Sequence, residues 1–315
     1  MDSPIIASPT KLTSLIPNSM TTLLDVMRLS ASLMQENQCY FGHGTDNALD
    51  EAVALVLGSL HLPHDLHHEF FKAQLTDKER NILEERLSKR IFERIPLPYL
   101  LEKAWFMELP FYVNTDVLIP RSPIAEEIKR QFSPWLKNPD EITNILDMCT
   151  GSGCIGIACA YVFPDAQVTL VDISEKALTV ARKNVNEHQL TDCIDVIKSD
   201  LFDQVPIQLF DIIVSNPPYV PNSEMQVLPA EYRHEPILGL EAADGGLEIV
   251  KRILKAAPDY LTEDGILIVE VGNTQITMES IFETLPITWI NFINGGHGVF
   301  VIDAKTLHKF SYLFK

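Results

Sequence analysis

Two short stretches hold residue types whose spacing could do chemistry. The first is Asn216-Pro217-Pro218-Tyr219, which follows the apolar run 210–215. Prolines lack an N–H and stiffen a loop that must keep one shape. The Asn216 side-chain carbonyl and the Pro217 backbone carbonyl are acceptors, and a planar NH₂ group brings matching donors. A nitrogen gripped by both hydrogens keeps its lone pair turned toward an electrophile, while Tyr219 can pack on the flat face of an amide or base. An amide nitrogen is a poor nucleophile. The chemistry expected is therefore alignment and charge stabilisation, without a strong base.

The second stretch is ILDMCTGSGCIGIACAY (145–161). Only 14 glycines occur in the whole chain, yet Gly151, Gly153 and Gly156 fall within six residues of one another. They spell GxGxxG, a weak signal by itself, but they open a helix whose free N–H groups suit a nucleotide. Asp172 ends the next strand, 21 positions after Gly151, where a carboxylate can accept ribose hydroxyls. Asp147 ends the strand before the glycines, and Asp200 ends the one after Asp172, with Phe202 able to stack on an adenine. A dinucleotide and S-adenosylmethionine both fit such a site. Acids after consecutive strands favour a bound cofactor over mere strand termination.

These loops need a scaffold. Runs 144–148, 167–172, 194–198, 210–215 and 266–271 read as strands, with helices near 154–163, 174–188, 246–257 and 275–284. The final runs 287–292 and 299–303 are joined by a short glycine-rich loop and should pair antiparallel, since a parallel crossover needs about a dozen residues. The alternation predicts an α/β fold, a doubly wound and mostly parallel seven-stranded sheet with one reversed strand. Ligands bind such sheets at the carboxyl ends of the strands, where both stretches fall.

Ahead of the sheet the period is helical. Leu23, Leu24, Met27, Leu29, Leu33 and Met34 make a broad stripe, and Asp50-Glu51 open an apolar helix ending near Gly58. Thr76 with Glu79 is a capping box ahead of Ile82, Leu83, Leu87 and Ile91. Residues 1–19 read as a flexible arm and 20–98 as a small helical domain. Residues 99–121, with Trp105, Phe106, Phe111, Tyr112 and Val117–Ile119, read as a connecting β-hairpin, and 122–315 as the α/β domain.

Composition excludes several classes. A net charge of −18 leaves no room for a dominant basic face, so stable nucleic-acid binding is not expected. Such a charge attracts basic partners, though solubility alone would also explain it. No apolar run reaches the roughly 18 residues of a membrane span, and the start lacks a secretory pattern, so a cytoplasmic protein is expected. The five cysteines form no CxxC pair, and Cys149, Cys154 and Cys159 read as small core residues. His61, His64, His67 and His68 cluster, but Pro63 breaks the local helix and no metal is expected.

In the pattern DxxxGxG (147–153) and in NPPY the chain resembles the HemK-type N(5)-glutamine methyltransferases. GHGTDNALDEA (42–52) and EYRHEP (231–236) are similar to the PrmB branch of that family, which methylates a glutamine of the third protein of the large ribosomal subunit. The resemblance spans residues 20–315. It implies a class I methyltransferase domain at 122–315, and at 20–98 a helical domain that recognises the substrate. It further implies S-adenosyl-L-methionine as cofactor, S-adenosyl-L-homocysteine as product, and a basic ribosomal protein of the large subunit as substrate. Asn216, Pro217, Pro218 and Tyr219 would be catalytic and hold the glutamine, with Arg121 and Glu235 as further substrate-side candidates and 117–121 as a wall near both ligands. The implied cofactor residues are Asp147, Thr150, Gly151, Ser152, Gly153, Asp172, Ile173, Asp200, Leu201, Phe202 and Asn216.

Other readings stay open on the residues alone. A peptide release factor could be the glutamine substrate. An adenine exocyclic amine presents the same donors as an amide, but the acidic charge and the missing basic target-recognition domain speak against it. A hydride-transfer enzyme would leave NPPY without a role. A silent binding protein would not need it intact.

Overall fold

A computed structural model of the chain describes residues 14–314. The chain forms two compact units, one reaching to Leu101 and the other starting at Glu102.

The first unit is helical: α1 (Leu23–Glu36), α2 (Ala48–Ser59), α3 (Asp77–Phe92) and α4 (Leu97–Leu101). Local chemistry starts the long helices. Thr22 with Asp25 and Thr76 with Glu79 close capping boxes, and Asn47 caps α2. Val26, Met27, Met34, Leu55, Leu83 and Leu87 build the core. The apolar stripe of α1 is narrower than expected, because Leu24 lies off the face set by positions 23, 26, 27, 30 and 34 and is 50% exposed.

Residues 1–13 of the expected flexible arm lie outside the described residues. The following segment is tied down. Ile16 is buried, and Glu84 accepts the Ser14 hydroxyl and the Leu15 N–H, each at 2.7 Å.

The GHGTD segment folds around a buried ion pair. Arg90, 1% exposed, donates to the carboxylate of Glu51, 2% exposed, and to the Tyr40 carbonyl at 2.6 Å. The Thr45 hydroxyl donates to the other Glu51 oxygen at 2.8 Å.

The second unit opens with the hairpin of β1 (Lys103–Phe106) and β2 (Leu109–Tyr112). Met107 and Glu108 turn it with positive φ of 51° and 66°, which suits the twist of paired strands. The expected hairpin stops there. The Asn114 side chain accepts the Asp116 N–H at 3.0 Å, and Val117–Ile119 run on as loop. Asn184 joins the hairpin to the sheet, accepting the Tyr112 N–H at 2.8 Å and donating to the Ser152 carbonyl at 2.8 Å.

The remaining elements alternate: α5 (Ile124–Lys129), β3 (Asn144–Met148), α6 (Cys154–Val162), β4 (Gln167–Asp172), α7 (Glu175–Glu187), β5 (Ile194–Lys198) and β6 (Phe210–Ser215). An insertion follows, with β7 (Val220–Pro221), α8 (Asn222–Met225), α9 (Ile237–Leu240) and β8 (Glu241–Ala242). The chain ends through α10 (Glu248–Ala256), β9 (Leu261–Glu270), α11 (Gln275–Ile281), β10 (Thr288–Trp289), β11 (Val299–Asp303) and α12 (Ala304–Lys309).

Seven strands form the main sheet in the order β10-β11-β9-β6-β3-β4-β5. All pairs are parallel except those of β11, which lies between β9 and β10 and runs against both. This is the mostly parallel, doubly wound α/β sheet with one reversed strand. Alternate residues of the central strands feed two separate cores, as buried parallel strands require. Ile145, Ile212 and Ile268 pack with α5, α6 and α7 on one face, while Leu146, Ile213 and Leu267 pack with α10, α11 and α12 on the other.

Candidate active site

From β3 the chain steps outward through β4 to β5, then returns to the other side of β3 as β6. The order of strands thus reverses at β3, and the carboxyl ends of β3 and β6 frame the crevice where such sheets take ligands. A cleft of about 230 Å³ opens there, lined by the loops after β3, β4, β5 and β6, by the segment 116–122 and by Glu270 at the end of β9.

Of the expected residues, the cleft gathers Arg121, Thr150, Gly151, Ser152, Asp172, Ile173, Asp200, Leu201, Asn216, Pro218 and Tyr219. Gly151 has a φ of +55° and open space where a Cβ would stand, so the backbone is bare toward a ligand. Asp172 joins two loops by accepting the Gly151 N–H and the Ser174 N–H, both at 2.9 Å. Burial raises its pKa, and these N–H bonds work against that rise. Asp200 pairs with Arg252 at 2.8 Å. The Asn216 side chain is half-buried and has no hydrogen-bond partner among the described residues, so its amide is unengaged at the cleft wall.

The others stand behind the wall. Phe202 is corrected: it is 6% exposed, with its ring 4.6 Å from that of Tyr260, and does not line the cleft. Its ring packs into the apolar core beside α10. Pro217 is buried under its own loop, and Gly153 caps α6 at a φ of +83°. Glu235 does not reach the cleft either. It is buried, accepts Arg121 at 2.9 Å and the Ile119 N–H at 3.3 Å, and helps keep the guanidinium protonated. With the Tyr232 ring 5.3 Å from the guanidinium, EYRHEP is a brace that sets Arg121 in the wall.

Asp147 lies beneath the glycine loop. One oxygen accepts the Thr150 hydroxyl and the Gly156 N–H, while the other has no partner. Gly156 permits this closeness, since a Cβ there would stand 2.1 Å from Leu170 and 3.1 Å from Asp147. Burial pushes the Asp147 pKa up to about 7. Because this folded value lies above the unfolded one, the native state holds the extra proton, and stability falls as pH rises from about 4 to about 7. At 1.36 kcal/mol per unit the loss is on the order of 4 kcal/mol. Asp147→Asn should flatten that slope. Urea unfolding at the two ends of the window reads it, and a slope unchanged in the variant would assign it elsewhere.

Sequence reasoning missed Glu270, Ser122 and Arg252, all of which line the cleft. Glu270 carried a signal, since it closes a strand as Asp172 does, with Asp147 and Asp200 within two residues of the ends of theirs. Cys149 is also corrected from a core residue to a half-buried cleft residue, held at a φ of +61°. No group of His, Cys, Asp and Glu among the described residues could hold a metal ion. The cleft presents the carboxylates of Asp116, Asp172, Asp200 and Glu270 against the guanidiniums of Arg121 and Arg252. That balance suits a ligand carrying positive charge, which fits a sulfonium better than a pyrophosphate.

Residues 132–231 match the family model of the methyltransferase small domain. The ribosomal protein uL3 glutamine methyltransferase of Francisella tularensis subsp. tularensis is 48% identical to this chain over 95% of it and 96% of its own length. A protein of the same name from Bordetella pertussis is 41% identical, over 91% of this chain and 96% of its own. With that likeness running through both units, the chain belongs to the family of ribosomal protein uL3 glutamine methyltransferases.

Proposed function

We propose that this protein transfers a methyl group from S-adenosyl-L-methionine to the side-chain amide nitrogen of a glutamine in ribosomal protein uL3. The observation that carries this reading is the unengaged Asn216 amide at the wall of an acidic cleft, in a loop stiffened by two prolines. The names of the relatives support the substrate.

When bound, S-adenosylmethionine supplies an electrophilic methyl on a cationic sulfur. Thr150, Gly151 and Ser152 would offer backbone to such a ligand, Asp172 would offer a carboxylate to its ribose, and Asp200 with Leu201 would hold the adenine. Asn216 accepts an amide hydrogen of the glutamine, which helps turn the nitrogen lone pair toward the methyl group. Tyr219 supports the flat face of the amide. The N–C bond would form as the methyl–sulfur bond breaks, leaving S-adenosyl-L-homocysteine. The strongly acidic N-methylated amide would then release one nitrogen proton to water. Rate acceleration comes from holding the partners in line, a contribution that can reach about 7–11 kcal/mol.

The catalytic loop recognises only an amide, and every glutamine has one. Selection of uL3 is therefore assigned to the first, helical unit, helped by attraction between an enzyme of charge −18 and a basic ribosomal protein. A ribosomal substrate sets this work in the cytoplasm. No helix among the described residues is long and apolar enough to cross a membrane.

Labelled S-adenosylmethionine with total ribosomal protein tests the reading. Label should enter one basic protein, identified as uL3, on a glutamine. Label entering an adenine-containing oligonucleotide instead would overturn it. Asp172→Ala should weaken cofactor binding by about 1.5–3 kcal/mol through the loss of charge-assisted hydrogen bonds. Calorimetry that finds the affinity unchanged removes Asp172 from the ribose.

A further inference from the structure

We infer that Glu270 is a positioning residue of this active site, holding the Tyr219 phenol so that the NPPY loop presents one fixed face to the substrate amide. The inference rests on the methyl-transfer reading above and deepens it.

Glu270 closes β9, is 5% exposed and reaches the cleft. Both of its oxygens are engaged. One accepts the Tyr219 hydroxyl at 2.8 Å and the other accepts the Ser122 hydroxyl. Ser122 is itself fixed, because its oxygen takes the Ile124 N–H at 3.2 Å where α5 begins. Burial and the neighbouring carboxylate raise the Tyr219 pKa, so the phenol stays neutral and donates. Burial raises the Glu270 pKa, but both of its oxygens are occupied by the hydroxyls of Tyr219 and Ser122. Its work is to hold.

The same tyrosine is gripped at two more points from outside its loop. A Cβ on Gly272 would stand 2.6 Å from the Tyr219 ring, and one on Gly246 would stand 2.2 Å from its carbonyl oxygen. Both glycines have positive φ, +48° and +90°, so their backbones turn as well as approach. Hydroxyl, ring and carbonyl are thus each located by a different residue beyond NPPY. Asn216 lies three positions earlier, separated only by prolines, so fixing Tyr219 fixes the frame in which Asn216 acts. A displacement of about 1 Å at such a site can lower a rate about 100-fold.

The test is kinetic, with uL3 as substrate. Glu270→Ala should lower kcat by about 10- to 100-fold and leave cofactor affinity within about threefold. Glu270→Gln still accepts from the phenol and can donate to Ser122, so it should run within about threefold of the parent. Adding Glu270→Ala to Tyr219→Phe should slow that variant no further, since the hydroxyl it serves is already gone. A full loss in the Tyr219→Phe background, or a Glu270→Gln variant as slow as Glu270→Ala, overturns the inference. If Glu270→Ala does not fold, the similarly sized Glu270→Met takes its place in each comparison. An unaltered chain inactive on uL3 overturns the glutamine reading instead. The crystal structure of the variant then decides for Glu270 without turnover: a displaced Tyr219 ring supports the role, and an unmoved ring refutes it.

Discussion

Replacing Asn216 with alanine should lower methyl transfer by about 100- to 1000-fold and leave S-adenosylmethionine affinity within about tenfold. Asn216 lines the cleft with an amide that no described residue engages, so the substitution removes an acceptor without dismantling a network. Loss of one preorganised polar partner of the reacting group is worth about 2–4 kcal/mol in the transition state. On the proposed binding mode the cofactor would keep Asp172, Asp200 and the loop at 150–152, all of which line the cleft, so its binding should survive. Single-turnover transfer of label and calorimetric binding separate the two effects. A variant with near-normal transfer would take Asn216 out of the mechanism.

Arg90→Ala should be among the most destabilising single changes in the helical unit. It strands the Glu51 carboxylate in the core and also removes the guanidinium that donates to the Tyr40 carbonyl. Removing one partner of a buried pair costs about 3–5 kcal/mol, because the remaining charge has no water to turn to. Scanning calorimetry of the full chain should find the transition of this unit lowered by more than about 10 °C. The double variant Arg90→Met, Glu51→Leu should recover most of that loss, since apolar residues of similar volume replace such pairs with little penalty. A single variant that melts with the parent would mean that the pair contributes little. GHGTD, singled out by its resemblance to one branch of the family, earns a structural account this way: Thr45 and the Tyr40 carbonyl complete the shell of the pair.

Local signals in the sequence carried most of the second unit. The strands at 144–148, 167–172, 194–198 and 210–215 coincide with β3 to β6; the central ones are short, buried apolar runs, and edge strand β5 is marked by its alternation and by the acid that follows it. The two capping boxes, where side chain and backbone satisfy each other within four residues, are local in the same sense. The reversed final strand was legible from the short loop before it. Its insertion between β9 and β10 was not, since the order of strands depends on which edges meet in space. Val117–Ile119 have strand-like composition yet form a cleft wall, for want of a partner strand.

At the candidate site, residue order alone places Asp147, Asp172, Asp200 and Asn216 at or next to the carboxyl ends of strands, because the strand runs end there. Which way each of them faces follows from packing in three dimensions. Asp172 and Asn216 turn to the cleft, Asp147 lies under the glycine loop, and Phe202 enters the core beside Tyr260. Glu235 reaches Arg121 across 114 positions, and Glu270 reaches Tyr219 across 51 and Ser122 across 148. No period or spacing encodes such meetings. They arise when buried polar groups, drawn from distant loops to one sheet end, must find hydrogen-bond partners there or forfeit about 1–3 kcal/mol each.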